Sequence, residues 1–289
     1  MNITLPSVQI INEKDMFKKI ELAGRVCYKS EDKITSDSAE KFFYNLLKRK
    51  HYSVLEHYVE HWVADNVTLS QSQMLERYYG IIPHSNLTVT HIRGNKYRVI
   101  FSANLRVLLE NEMVVFDKES GVITHRVNSL FSRCDFETDI QNKTPDEIRH
   151  HRYTTISIVT DRGVTHELVR HRKFSFSQES TRYVNYKNKG LTFIQPMFIT
   201  NEILDKEFNN FCKMIEEIYV GAINSGLKPQ DARAFLPNCV KTEIVVTGNN
   251  EEWQHFFKLR CSDAAHPDMH CVADLVQTIY EIYYGEENK

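Results

Sequence analysis

The most regular pattern in this chain is an amphipathic stretch at residues 201–226. Its apolar residues recur at intervals of three and four, the spacing of one face of an α-helix. They are Leu204, Phe208, Phe211, Ile215, Ile218 and Ala222, and Gly226 supplies a stop signal. A helix with one apolar face is stable only when that face is buried against another part of the fold. The pattern therefore predicts a long helix that packs on a second layer.

Runs rich in β-branched residues predict that second layer. YTTISIVT (153–160) and TEIVVTG (242–248) are the clearest strands, and a shorter strand is predicted at residues 8–11. Shorter helices are predicted after Asp15, after Ser36 or Asp37, over GVTHELVRHR (163–172), after Pro229, over NNEEWQHFFKLR (249–260) and after Pro267. We therefore predict an α+β fold in which helices pack on a largely antiparallel sheet.

The segment at about 65–149 has a different sequence pattern from the rest of the chain. Short apolar runs such as RVIF and MVVF alternate with polar turns such as HIRGNK. No Pro-Gly linker separates the segment from its neighbours. We predict a single domain over residues 1–289, with a β-rich insertion of strands and loops at about 65–149.

Bulk properties restrict the function classes. The net charge of −2 argues against a general nucleic-acid coat, which needs a broadly basic surface. No signal peptide and no stretch long and apolar enough for a membrane span is evident. Six scattered cysteines without a CxxC pair are typical of reduced thiols, so we expect a cytoplasmic protein.

The sequence RHRKFSFSQESTRY (170–183) is the strongest candidate for a binding site. It gathers Arg170, His171, Arg172, Lys173 and Arg182, with serines and Thr181 between them. Such clustering costs stability unless an anion offsets it. If the segment is helical, Arg170 and Arg172 lie about 200° apart and cannot grip one ligand side by side. The planar guanidinium group of arginine can donate two hydrogen bonds to the oxygens of a phosphate. An isolated RHR triplet, however, is more often part of a solvent-exposed basic surface.

The RHR triplet followed by seven residues and Ser180 resembles the signature of the flavin-dependent thymidylate synthases. Three other stretches are similar to segments of that family in order and spacing: HYSVLEH (51–57), DARAFLP (231–237) and TGNNEEWQHFFKLR (247–260). The resemblance covers roughly residues 15–64 and 150–282.

The resemblance implies a homotetramer with active sites at subunit interfaces. Such an enzyme methylates dUMP to dTMP with methylenetetrahydrofolate as carbon donor, and NADPH reduces a bound FAD. No nucleic-acid or membrane partner is implied. Several anionic groups meet in one site, which would explain the arginines.

The resemblance also assigns roles to residues. FAD binding is implied for Ser53, Arg170, His171, Arg172, Gln178, Asn249 and His255, with His51 beside them. Binding of dUMP is implied for Glu167, Arg170, Gln178, Ser180, Arg182, Arg233 and Arg260. The catalytic role falls to Arg260, which would stabilise negative charge developing at N3 of the uracil. Ser180 is not expected to act as a nucleophile, and none of the six cysteines is assigned that role.

Four positions depart from the family pattern. Glu167 stands where many members have Gln, Gln178 where many have Glu, Glu251 where an Arg is common, and His255 where Asn is common. The change at position 251 removes one positive group expected near the flavin phosphates. The carboxylate at position 167 can still accept hydrogen bonds from a pyrimidine.

Three other interpretations remain open. His57-Tyr-Val-Glu-His61 matches the H-x-x-E-H zinc-peptidase pattern, which needs both histidines on one helix face. On a strand the imidazoles would lie about 13 Å apart and could not share a metal. His266, Asp268, His270 and Cys271 could be drawn as a metal cluster, although Pro267 at a helix start explains them more simply. RHRK with Phe174 and Phe176 could bind single-stranded nucleic acid, but the neutral charge argues against it. We expect no metal.

Overall fold

The computed structural model describes residues 1–117 and 122–285. Its strands are β1 (Asn2–Thr4), β2 (Ser7–Ile10), β3 (Val59–Val67), β4 (Ser85–Arg93), β5 (Lys96–Asn104), β6 (Val114–Phe116), β7 (Ile123–His125), β8 (Ser132–Cys134), β9 (Tyr153–Asp161), β10 (Ser175–Gln178), β11 (Thr192–Ile194) and β12 (Lys241–Asn249). Its α-helices are α1 (Met16–Tyr28), α2 (Ser38–Lys48), α3 (Leu69–Tyr79), α4 (Leu105–Glu110), α5 (Pro145–His151), α6 (Arg162–Leu168), α7 (Glu202–Asn224), α8 (Pro229–Ala232), α9 (Asn250–Arg260) and α10 (Pro267–Tyr284).

An antiparallel sheet with the order β10-β12-β9-β2 carries the C-terminal half of the chain. β9 and β12 pair along nine residues, from Tyr153 opposite Asn249 to Asp161 opposite Lys241. Their apolar residues pack against α9 and α10 around Trp253, which is fully buried. This pairing brings the start of α6 and the start of α9 to opposite ends of the same two strands.

A second antiparallel sheet, β4-β5-β3-β8, forms from residues 59–134. Phe101 of β5 belongs to the same hydrophobic core as Phe43 of α2 and Leu55. The segment at 65–149 therefore shares a core with the N-terminal helices.

The long helix α7 packs on a third cluster with the two-stranded parallel pair β1 and β11. Phe208, Cys212 and Tyr219 form its buried side. Asn201 caps the helix by accepting a hydrogen bond from the backbone N–H of Leu204, and Gly226 follows its end with φ of +99°. The predicted helix at 201–226 is confirmed.

The predicted α+β class is confirmed, as are the strands at 8–11, 153–160 and 242–248 within one or two residues. Asp15 caps α1 as expected. The prediction that 65–149 contains only strands and loops is wrong, because α3, α4 and α5 lie there. A capping box between Thr68 and Gln71 begins α3, whose buried side consists only of Ser72, Leu75 and Tyr79. Its apolar stripe is too sparse to have been recognised in the sequence.

No helix in the described part of the chain is long and apolar enough to cross a membrane.

Candidate functional site

The RHR triplet lies in a turn after α6. Asp161 caps α6 through the backbone N–H of Val164, and the helix ends at Leu168. Backbone bonds from Arg170 to Glu167 and from His171 to Leu168 then close the turn. The prediction of one helix through 163–172 is wrong past Leu168, and the 200° separation of Arg170 and Arg172 does not apply. The chain leaves the helix because Phe174 must reach its buried position 4.6 Å from the ring of Trp253.

Arg260, the last residue of α9, contacts two predicted ligand-binding residues. Its Nη1 donates to Oε2 of Glu167 at 2.7 Å, and its Nε donates to Nε2 of His171 at 3.0 Å. Burial, together with the nearby charges of Arg260 and His255, lowers the pKa of His171 to about 4. His171 is therefore neutral at pH 7 and can accept this hydrogen bond. The side chains of Glu167 and His171 hold the Arg260 guanidinium in one orientation.

Asn249 precedes α9 at the end far from Arg260, and His255 lies within the helix. Asn249 is buried and caps the helix, accepting from the backbone N–H of Glu252 at 2.9 Å and donating to the carbonyl of His150 at 3.2 Å. The exposed His255 ring lies 6.1 Å from the ring of His171. Glu251 faces Arg149, with 3.7 Å between carboxylate and guanidinium. The side chain of Asn249 thus stabilises the fold through both hydrogen bonds, and it stands at the start of α9, where a ligand can be bound.

Arg172 and Asn249 line a cavity of about 580 Å³. Lys173, Ser175 and Thr247 line the same side. Cations beside hydroxyl and amide groups suit a ligand that carries both phosphate and hydroxyl groups. The volume falls in the range of about 300–1,000 Å³ for small-molecule sites.

Sequence reasoning missed the other cavity-lining residues. Glu56, Tyr153 and Arg106 line the cavity, as do His84 and Asn86. Of these residues, only Glu56 lies in a segment that resembles the family, HYSVLEH, and Tyr153 begins the predicted strand YTTISIVT. The others belong to no motif and come together only through the packing of the two sheets.

Ser180 and Arg182 lie beyond β10 in a second group. The preceding Glu179 is buried, accepts from Tyr186 at 2.6 Å and pairs with Lys241 at 3.1 Å and Lys29 at 3.3 Å. Burial alone would raise the pKa of Glu179, but the two lysines and the hydrogen bond from Tyr186 together hold the pKa below its usual value. The buried carboxylate thereby fixes the backbone just before Ser180.

His51 and Tyr183 belong to this second group. Tyr28 donates to or accepts from Nδ1 of His51 at 3.0 Å, and its ring lies 5.8 Å from that of Tyr183. The guanidinium of Arg182 lies 5.5 Å from the centre of the Tyr183 ring. Ser53 is half-buried in the 3₁₀-helix Tyr52–His57 that follows His51. These contacts connect the HYSVLEH segment with the end of the RHR segment.

Gln178 and Arg233 occupy different surroundings. Gln178 ends β10, and its Nε2 donates to Thr165 at 2.9 Å and to Thr242 at 3.3 Å. Arg233 is exposed in the 3₁₀-helix Arg233–Phe235, next to α8. No hydrogen bond or ion pair joins Arg233 to the other predicted site residues in the described part of one chain. Within a single chain, contacts therefore gather the predicted residues into separate groups.

The geometry of His57 and His61 contradicts the zinc-helix interpretation. His57 ends a 3₁₀-helix and bonds through Nδ1 to Thr247 at 2.8 Å, while His61 lies in β3 and bonds to Ser102 at 2.7 Å. His57 is fully buried. Among the described residues, no three potential metal ligands lie close enough to hold an ion.

The second histidine cluster is explained by a helix start. His266 caps α10, accepting from the backbone N–H of Asp268 at 3.3 Å, and Pro267 is the first helical residue. His270 pairs with Asp274 one turn later, at 3.2 Å.

All six thiols are in surroundings that disfavour the thiolate. Burial raises the pKa of Cys212 and Cys261 to about 12 and that of Cys239 to about 11. Burial also raises the pKa of Cys27, Cys134 and Cys271. A raised pKa makes a thiol a poorer nucleophile at neutral pH.

Comparison with known proteins shows which family the sequence matches. Residues 9–78 and 124–282 match the family described as thymidylate synthase complementing protein. Similar curated proteins are the flavin-dependent thymidylate synthases of Geobacter sulfurreducens, 35% identical over 113 residues, and of Pyrococcus furiosus, 36% identical over 151 residues. These similarities cover 39% and 47% of this chain and 49% and 61% of the two relatives. The chain thus spans about half the length of the curated relatives it matches.

Solved structures are also similar over most of the chain. One of them is a UMP/dUMP methylase PolB from Streptomyces cacaoi bound with 5-Br dUMP, with a TM-score of 0.44 and 14% sequence identity, over 98% of this chain and 93% of that chain.

Proposed function

Because the chain belongs to the family of thymidylate synthase complementing proteins, we propose that it is a flavin-dependent thymidylate synthase. The reaction is the reductive methylation of dUMP to dTMP, with methylenetetrahydrofolate as carbon donor and NADPH as the reductant of bound FAD. The observation that carries the proposal is the family match over 9–78 and 124–282, which includes the RHR segment and α9. We propose a cytoplasmic location, which the six unpaired cysteines support.

The cavity of about 580 Å³ supports a flavin nucleotide as its ligand. Arg172 reaches it from the turn after α6, and Asn249 reaches it from the start of α9. A guanidinium fork and the positive end of a helix both favour phosphate. We assign FAD binding to these two residues together with Ser53, Arg170, His171, Gln178 and His255. Bound FAD would carry reducing equivalents from NADPH to the methylation.

Arg260 is the proposed catalytic residue. Glu167 and His171 hold its guanidinium, so its orientation is established before a pyrimidine binds. A fixed cation beside the uracil stabilises negative charge that develops at N3 without reorganising in the reaction. We assign dUMP binding to Arg260, Glu167, Arg170, Gln178, Ser180, Arg182 and Arg233.

We propose a homotetramer with interfacial sites. Support comes from the separate groups that the site residues form within one chain, because a second chain could complete a site from them. Further support comes from α7, which exposes Ile203 (76%) and Met214 (51%) on the side roughly opposite its buried residues, with Ile218 (41%) at the edge of that exposed side. An exposed apolar stripe on a helix is typical of an interaction surface.

The test uses purified protein and its absorbance. We expect bound flavin, loss of flavin absorbance on addition of NADPH, and dUMP-dependent tritium release from [5-³H]dUMP when methylenetetrahydrofolate is present. Omission of dUMP or of folate serves as the matched control. Protein that does not take up added FAD, or that releases no tritium when all substrates are present, would refute the proposal.

A further inference from the structure

The cavity that contains Arg172 and Asn249 has a second wall. His84, Asn86, Asn104 and Arg106 line it from the opposite part of the sequence. All four lie in residues 79–123, between the two ranges that match the family. The second wall is therefore a feature of this chain and not of the matched family positions.

Several contacts fix this wall to the rest of the fold. The Asn86 side chain of β4 donates to the hydroxyl of Tyr153 at the start of β9. Asn104 caps α4 by accepting from the backbone N–H of Val107 at 3.0 Å, which sets the direction of the first turn of α4. Arg106 stands in that first turn, so its position is determined by the cap and by the pairing of β5 with its neighbours.

Two carboxylates hold the Arg106 guanidinium in place. Its Nη1 donates to Glu56 at 2.7 Å, and its Nε donates to Glu110 at 2.8 Å. Its Nη2 makes no hydrogen bond within the described residues 1–117 and 122–285. The two carboxylates offset the positive charge of Arg106. Arg106 would therefore bind a ligand mainly by donating a well-oriented hydrogen bond, and less by long-range electrostatic attraction.

Arg172 on the other wall differs in this respect. It is exposed, and no ion pair or hydrogen bond of its side chain is found in the described part of the chain. The cavity is thus lined by an exposed guanidinium without an ion pair in the described residues and by a second guanidinium that two carboxylates hold, with one donor group remaining. A phosphate group can accept hydrogen bonds from both, because it has several oxygens at different angles.

We propose that residues 84–106 form part of the cofactor site, with Arg106 donating to a phosphate of bound FAD in the same cavity as Arg172 and His84 contacting the same ligand. The inference rests on the proposed function, which supplies FAD as the ligand. It assigns a binding role to residues for which neither the sequence motifs nor the family match provides one.

The experiment measures the dissociation constant of FAD for full-length variants. Arg106→Gln should raise this constant at least fivefold, and His84→Ala about threefold, with the dissociation constant of dUMP changed less than twofold. Glu110→Gln removes a cavity-lining carboxylate and one partner of Arg106 but keeps the guanidinium, so it should weaken FAD binding less than Arg106→Gln does. Arg93→Gln is the matched control, since Arg93 is exposed on β4 and does not line the cavity. Thermal melting shows whether each variant folds.

Each outcome is decisive. Wild-type protein that binds FAD while folded Arg106→Gln binds it equally well would overturn this inference and leave the proposed function intact. Weakening by Glu110→Gln as large as that by Arg106→Gln would also overturn it, because the effect would then come from the cavity shape. If Arg106→Gln does not fold, unchanged binding by His84→Ala overturns the inference. Wild-type protein that binds no FAD would refute the proposed function itself.

Discussion

Arg260 contacts Glu167 and His171 across a long stretch of sequence, and the value of these contacts lies in orientation. An ion pair that is partly exposed adds about 0–1 kcal/mol to stability. The 2.7 Å contact with Glu167 and the 3.0 Å contact with His171 nevertheless restrict the guanidinium to one position. A cation whose position is already set contributes more to a transition state than one that must be ordered during the reaction.

Replacing Arg260 by Ala should therefore separate cofactor binding from turnover. We expect Arg260→Ala to keep FAD bound and to lower kcat by about 100-fold or more, the usual effect of removing one oriented donor. Steady-state tritium release and flavin absorbance measure the two quantities. Lys258→Ala, an exposed residue of the same helix, is the control. Near-normal turnover by Arg260→Ala would show that Arg260 is not the catalytic residue.

At the scale of elements, the sheet β4-β5-β3 contains a buried chain of polar side chains. His61 and His151 both bond to Ser102 at 2.7 Å, and His151 also bonds to Thr88 at 3.1 Å. Burial lowers the pKa of His61 to about 3 and that of His151 well below its usual value. His57 behaves alike, because burial and the charge of Lys19 lower its pKa to about 3. These imidazoles are neutral in the folded protein at pH 7.

This neutrality predicts acid sensitivity. Below about pH 6.5 the unfolded chain binds protons at these histidines, whereas the folded chain does not. The free energy of unfolding therefore decreases as the pH is lowered from about 6.5 to about 3. We expect a loss of about 2 kcal/mol per buried histidine between pH 7 and pH 5. Urea denaturation at both pH values measures it. His57→Gln should show a smaller loss than wild type; an equal loss would contradict the role of His57.

The elements differ in how far the sequence predicts them. α7 was predictable because its buried side repeats at helical spacing, and β9 and β12 because β-branched residues dominate them. α3 was not, since Ser72 supplies part of its buried side. The end of α6 at Leu168 depends on where Phe174 is buried, which is a tertiary effect. The family resemblance named Arg260, Glu167 and Arg172. The contact between Arg260 and Glu167 and the position of Arg106 in the same cavity as Arg172 follow from tertiary packing, which local sequence does not encode.

At the scale of the whole molecule, α7 has two apolar sides. Ile203, Met214 and Ile218 lie within about 60° of one another around the axis, and Phe208, Cys212 and Tyr219 lie on the other side. One side is used in the chain's own core. The other remains for contact between chains, as the proposed homotetramer requires.

Charge placed on this outer side should dissociate the assembly. We expect the double variant Ile203→Asp, Ile218→Asp to sediment as a smaller species than wild type and to lose tritium release, because interfacial sites would be incomplete. Lys213→Glu, an exposed change on a different side of α7, should leave the assembly intact. A double variant that keeps the wild-type sedimentation coefficient would exclude this side of α7 from the interface.

The second sheet shares its hydrophobic core with the N-terminal helices, and this limits how far the chain can be shortened. Phe101 and Leu105 are fully buried with Phe43 and Leu55, which precede the segment 79–123. A shortened protein that joined residue 78 directly to residue 124 would expose the apolar surface of the N-terminal helices to solvent. Natural or engineered loss of this segment is therefore tolerable only together with compensating substitutions in α1 and α2.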